Sequence, residues 1–143
     1  MKIAEMAYKA REASIMLAAC GTELKNKALK AIAEELMHGK DDITRANRSD
    51  LDRSSKEGIP APLLKRLNFD EKKIADVIDG IHSLIKLEDP VGKTLMANQL
   101  DEGLELYKVS CPIGVIGVIF ESRPDALVQI STLCLKSGNL SAI

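Results

Sequence analysis

Tryptophan is missing from this 143-residue chain, and two Tyr and two Phe are its only aromatic side chains. Its core must therefore be packed by aliphatic residues, which the 45% hydrophobic content can supply. An excess of one charge is missing too, since 20 Lys and Arg face 21 Asp and Glu. That balance argues against a dedicated binder of nucleic acid or of an anionic membrane, which needs a basic excess or patch. No apolar run reaches the roughly 18–20 residues of a membrane-crossing helix. Cysteine is scarce: Cys20, Cys111 and Cys134 are an odd number with no CxxC pair. A disulfide scaffold is thus disfavoured, and a reduced, cytoplasmic protein is expected. The first twenty residues carry Glu5, Lys9, Arg11 and Glu12, so they lack the apolar stretch of a secretory signal. Repeats and low-complexity tracts are absent as well.

What is present divides into a helical half and an extended half. Ile3, Met6, Ala7, Ala10, Ser14, Leu17 and Ala18 recur at helical spacing and predict an opening helix that ends at Gly21. Thr22 is the expected N-cap of a second helix with the stripe Leu24, Ala28, Ala31, Ile32 and Leu36, closed by Gly39. Asp41 and Asp42 favour a third helix start, through Ile43, Ala46 and Leu51 to a stop near Gly58 and Pro60. The charge-rich stretch 41–57 reads as its solvated face. The clearest helix follows a cap at Asn68 or Asp70, with Ile74, Val77, Ile78, Ile81, Leu84 and Ile85 on one side. His82 is expected at the border of that core.

Beyond Pro90 and Gly92 the pattern changes. Asp101-Glu102-Gly103 predicts a turn between two extended arms. The run Ile113–Phe120 predicts a strand buried on both faces, as in a parallel sheet. Pro124 suits the first position of a last helix, with Leu127, Ile130, Leu133 and Cys134 on one face and Gly138 at its end. Residues 139–143 read as the start of a further strand.

Chemistry concentrates where the strand 113–120 meets that last helix. Ligands of open α/β sheets gather at the carboxyl ends of strands. A helix N-terminus also presents free N–H groups and a positive dipole end to anions. Ser122 adds a hydroxyl and Arg123 a cation, so a phosphate or other oxyanion is one reading of Glu121-Ser122-Arg123-Pro124. The other reading stays open: Ser122 caps the helix and Arg123 pairs with Glu121 on the surface. Gly114 and Gly117 lack the spacing of a dinucleotide loop and are expected to serve close backbone packing. The three cysteines read as small structural residues and not as nucleophiles. His38 and His82 have no metal-ligand partner at i+4 and no Cys pair, so no metal site is expected.

The stretch KVSCPIGVIGVIFESRPDALVQISTLCLKSGN, residues 108–139, resembles the corresponding part of the γ-glutamyl phosphate reductase family (glutamate-5-semialdehyde dehydrogenases) of the aldehyde dehydrogenase superfamily. KNKALKAIAEEL at 25–36, ITRANRSDL at 43–51, LLKRLNFDEKKIADVIDGI at 63–81 and EDPVGK at 88–93 carry the resemblance upstream. It implies NADPH-dependent reduction of L-glutamyl 5-phosphate to glutamate 5-semialdehyde and phosphate in proline biosynthesis. The implied fold is α/β. Residues 1–90 are a helical part of the cofactor domain, 91–112 a β-hairpin for oligomerisation, and 113–143 the first strand–helix unit of an incomplete Rossmann-like domain. The resemblance implies a homo-oligomeric enzyme with a small-molecule substrate.

The resemblance places Ser122 and Arg123 near substrate or another anion, and Glu121 and Pro124 near cofactor. None of the three cysteines matches the family's nucleophile, so no catalytic residue is assigned within this chain. After Asn139 the family continues into a Leu-Lys-Gly-Gly segment, where this sequence reads Leu140-Ser141-Ala142-Ile143. The expectation is an N-terminal portion that is inactive alone. A non-catalytic association module built on the hairpin and an anion-binding fragment built on Ser122 and Arg123 are the competing readings.

Overall fold

The computed structural model describes residues 3–121 and 123–142. Helices α1 (Ile3–Ala18), α2 (Thr22–His38), α3 (Lys40–Lys56), α4 (Ala61–Leu67) and α5 (Glu71–Lys86) come first. A hairpin of β1 (Thr94–Asp101) and β2 (Leu104–Val109) follows, then β3 (Val115–Gly117), α6 (Pro124–Lys136) and β4 (Leu140–Ala142). Helices α1, α2, α3, α5 and α6 and the turn at Asp101-Glu102-Gly103 thus form where the sequence places them, while α4 occupies the Pro-bounded segment after Pro60, for which the periodicity predicts no helix.

The core is built on α5. Its buried residues are Ile74, Val77, Ile78, Ile81 and Leu84, the predicted stripe apart from half-buried Ile85. Asp70 caps it, accepting a hydrogen bond from the Lys73 N–H at 2.9 Å. Leu29 and Ala33 of α2 and Phe69 complete the buried cluster, with Val128 and Leu135 of α6 packed against it. Each large aliphatic side chain fully removed from water here contributes about 1.5–3 kcal/mol.

Several details differ from the sequence reading. The inward face of α2 carries Lys25, Leu29 and Ala33, while Leu24 is exposed. Gly21, not Thr22, is the α2 N-cap, because the Thr22 hydroxyl donates to Asp89 Oδ2 at 2.8 Å instead of to its own helix. On α6, Leu127 and Leu133 are exposed; Ala126, Thr132 and Cys134 are buried, since α6 turns that face toward α5 and α2. His82 is exposed. The solvated face of α3 is as expected except for Asn47, which is buried. Its Oδ1 accepts from the Phe69 N–H at 2.7 Å and its Nδ2 donates to the Leu67 carbonyl at 2.9 Å, fixing the turn between α4 and α5.

The run 113–120 is the largest departure. Its strand is only three residues long, and Ile113 and Ile119 are exposed. β3 pairs in parallel with β4, Val115 opposite Leu140 and Gly117 opposite Ala142. The predicted strand after α6 therefore exists, its last residue Ile143 lying outside the described residues. A two-stranded sheet cannot cover both faces of its own strands, so the apolar run stays open to solvent.

Asn139, buried, joins the two strands. Its Oδ1 accepts from the N–H groups of Ile113 (2.7 Å) and Gly114 (2.9 Å), and its Nδ2 donates to Ser137 Oγ at 2.9 Å. The expected role of Gly114 and Gly117 in close packing is corrected: a Cβ on either would meet open space. Gly114 instead adopts φ +117°, a conformation that favours glycine.

Candidate functional site

The junction of β3 and α6 is built from short-range constraints. Pro124 opens α6 with a φ already suited to a helix and no N–H to leave unpaired. The Ala126 N–H closes the first turn on the Arg123 carbonyl at 3.0 Å. Upstream, residues 118–121 leave the end of the strand pair, with Ile119, Phe120 and Glu121 exposed.

Arg123 holds the N-cap position without donating or accepting a side-chain cap bond. Its Nη2 pairs with Asp125 Oδ2 at 2.9 Å, so the surface pair with Glu121 is replaced by one across Pro124 to the first turn of the helix. Asp125 is buried, and its Oδ1 has no hydrogen-bond partner among the described residues. Burial pushes its carboxyl up, but the Arg123 guanidinium outweighs that, and Lys73 adds to the pull; the group lies below the ordinary Asp value. The same contact raises the pKa of Arg123.

Of the predicted site residues, Glu121, Arg123 and Pro124 are consecutive around the turn, while Ser122 lies outside the described residues. Asp125 is the residue the sequence reading missed. An acid in the first turn reads as a favourable dipole contact, and only the fold shows that it is buried with Arg123 as its partner.

The cysteines separate by environment. Cys134 is buried and burial pushes its thiol up, the opposite of what a nucleophile needs. The Cys20 thiol donates to the Met16 carbonyl at 3.4 Å. Cys111, expected to be buried, is exposed, because it lies in the open segment between β2 and β3. No group of three or more His, Cys, Asp or Glu able to hold a metal ion is found among the described residues. No described helix is long and apolar enough to cross a membrane.

No family model matches the sequence. Comparison with known proteins gives close similarity none the less. The chain is 73% identical over 139 residues to a gamma-glutamyl phosphate reductase of Acetivibrio thermocellus, covering 97% of this chain and 32% of that protein. It is 70% identical over 139 residues to one of Pelotomaculum thermopropionicum, with the same coverage. The crystal structure of gamma-glutamyl phosphate reductase from Thermotoga maritima superimposes with a TM-score of 0.94 at 39% identity, over 99% of this chain and 34% of that one. The Saccharomyces cerevisiae enzyme of the same name gives 0.93 at 40% identity, over 96% and 35%. The chain thus spans about a third of the length of the curated relatives it matches. Its curated relatives at this level are gamma-glutamyl phosphate reductases, as the residues at 108–139 and upstream imply.

Proposed function

We propose that this chain is part of an NADP-dependent glutamate-5-semialdehyde dehydrogenase, which reduces L-glutamyl 5-phosphate to the semialdehyde and releases phosphate in proline biosynthesis. One observation carries the reading: 73% identity over 139 residues to a reductase of that name. In this reading residues 113–143 begin a Rossmann-like cofactor domain, the hairpin 91–112 serves self-association, and the protein works as a homo-oligomer in the cytoplasm. No catalytic nucleophile is assigned within these 143 residues.

The side chains at the β3–α6 junction suit such a role. Exposed Ile119 and Phe120 offer an apolar surface to a flat ring, Glu121 an acceptor for a ribose hydroxyl or an amide, and Pro124 a rigid edge. Arg123 supplies a planar cation whose fork of donors fits phosphoryl oxygens. The nicotinamide, when bound, supplies the hydride that replaces phosphate at the acyl carbon. Ser122 is assigned with Arg123 to the anionic group of substrate.

The test uses the complete protein that carries this chain. NADPH oxidation that depends on L-glutamyl 5-phosphate and releases one phosphate per turnover is the expected result. Absence of that dependence, together with failure to relieve proline auxotrophy in cells lacking the reductase, overturns the proposal.

A further inference from the structure

The hairpin of β1 and β2 leaves the body through two short segments, 87–93 after α5 and 110–114 before β3. Every residue of its two strands is exposed, so neither strand is buried against a helix. The direction of the arm is therefore set at its root.

Among the ion pairs of the described residues, Lys25–Asp89 alone has both side chains withdrawn from water, and it lies at that root. Well-packed apolar side chains in place of a buried ion pair are often neutral or stabilising. Apolar contact has no preferred direction, whereas this carboxylate is held by three donors. Oδ2 accepts from the Lys25 ammonium at 2.6 Å and from the Thr22 hydroxyl at 2.8 Å, and Oδ1 accepts from the Val91 N–H at 3.0 Å. What the pair adds is geometry.

The constraint runs from Asp89 directly into the ladder. Its bond to the Val91 N–H closes a turn onto its own backbone two residues on. Pro90 has its φ locked by the ring, and Gly92 takes φ +78°. The Gly92 N–H then donates to the Ser110 carbonyl, and the Ser110 N–H to the Lys93 carbonyl, each at 2.9 Å. A second support is the turn after α6. Val91 Cγ2 and Pro112 Cγ stand 3.4 and 2.9 Å from where a Cβ on Gly138 would lie, so the outgoing and returning segments both rest on that glycine. The body side is tied as well. Buried Lys136 donates to Asn26 Oδ1 on α2 at 2.8 Å and to the Ile85 carbonyl near the end of α5 at 3.3 Å.

We propose that Asp89 is a positioning residue for the hairpin: its buried pairing with Lys25 locks the arm in one direction relative to the helical body, oriented in advance for a second copy of the chain. The second copy rests on the self-association read under Proposed function; the lock does not.

The experiment uses the complete protein carrying the chain, with spin labels on non-natural side chains at Lys27 of α2 and at Glu102 on the arm's tip, every cysteine left in place. Labelled protein is mixed into an excess of unlabelled protein, so that the distance distribution read by pulsed electron resonance is that of one copy. Self-association is followed by sedimentation, and stability by the urea midpoint. The wild type is expected to give one narrow distribution. Lys25→Met/Asp89→Leu, which replaces the pair by apolar contact, should be more stable than Asp89→Ala. It should still broaden the distribution about twofold and weaken association about tenfold, the loss expected of an arm correctly directed about a tenth of the time. Asp89→Glu keeps the charge for Lys25 but is one methylene too long to close the same turn on Val91. It should shift or broaden the distribution, and it carries the test where the double change does not fold.

A pair that only stabilises would lower the midpoint and leave the distance alone. A narrow, unshifted distribution in whichever of these variants folds therefore overturns the proposal, with or without a change in association. A broadened distribution with unchanged association overturns the self-association reading and leaves the lock standing.

Discussion

Lys25 Nζ stands 2.6 Å from Asp89 Oδ2, with the lysine side chain 2% exposed and the carboxylate 13%. The pair ties the first turn of α2 to the segment that leaves α5 for the hairpin. Asp89 also accepts from the Thr22 hydroxyl at 2.8 Å and from the Val91 N–H at 3.0 Å. A carboxylate at that helix end meets the positive end of the α2 dipole, which offsets the cation placed there.

Removing one member of this pair leaves the other charge buried and unmatched. Asp89→Ala is expected to destabilise the protein by about 3–5 kcal/mol, the range for breaking a buried ion pair. Lys25→Met combined with Asp89→Leu should cost clearly less than the sum of the single changes, as urea unfolding would show.

The same carboxylate sets a pH dependence. Burial alone would raise its pKa, but the Lys25 ammonium, the Val91 N–H and the Thr22 hydroxyl prevail and hold it at about 2, below the ordinary 3.8. The unfolded chain therefore takes up its proton first as pH falls. The Asp89 contribution is fully present above about pH 4 and is lost progressively toward pH 2. Unfolding free energies in urea across that interval should fall more steeply for the wild type than for Asp89→Asn.

Asn139 is predicted to be the costliest polar side chain of the β3–α6–β4 unit. Asn139→Leu leaves the N–H groups of Ile113 and Gly114 without their acceptor. At about 1–3 kcal/mol for each unmet buried donor, a loss of about 2–4 kcal/mol is expected, the site being only half-buried on the strand side. Amide exchange should become faster at Ile113 and Gly114.

Glycine replacements separate strain from crowding. Gly58 and Gly138 adopt φ of +77° and +71°, but a Cβ at Gly58 meets open space, whereas one at Gly138 lies 2.9 Å from Pro112 Cγ. Gly58→Ala should cost about 1 kcal/mol from the backbone alone. Gly138→Ala should cost about 1–3 kcal/mol more, because the proline ring is crowded as well. Equal losses in thermal unfolding would show that Pro112 yields freely.

Leu29→Ala should cost about 2–5 kcal/mol, whereas Leu24→Ala on the same helix should fall within about 0.5 kcal/mol. The contrast measures what the sequence conceals about α2. Its periodicity marks a helix, but Lys25 on the inward face breaks the apolar stripe, and the apparent stripe rotates toward Leu24 and Ala31. Only the position of Asp89, 64 residues on, makes a lysine acceptable there. On α5 no such substitution interrupts the pattern, and stripe, cap and core coincide. The run 113–120 misleads in the opposite way. Its β-branched composition encodes a strand with neighbours on both sides, and β4 provides one neighbour for three residues. At the junction the turn, Pro124 and the helix start are legible from local rules, and burial of Asp125 is not, because burial depends on how α6 lies against α5.

The hairpin stands apart from these couplings. Every residue of β1 and β2 is exposed, and its base is held by Ser110, whose Oγ donates to the Pro90 carbonyl at 2.6 Å and accepts from the Lys93 N–H at 3.0 Å. Its ladder can therefore open and close without disturbing the hydrophobic cluster around α5. Two clocks run in one chain: core amides report the free energy of the whole fold, and amides between 95 and 108 report only local breathing. A denaturant that slows neither process will shift the first and leave the second nearly unmoved, so a single midpoint describes the body of this protein and not its arm.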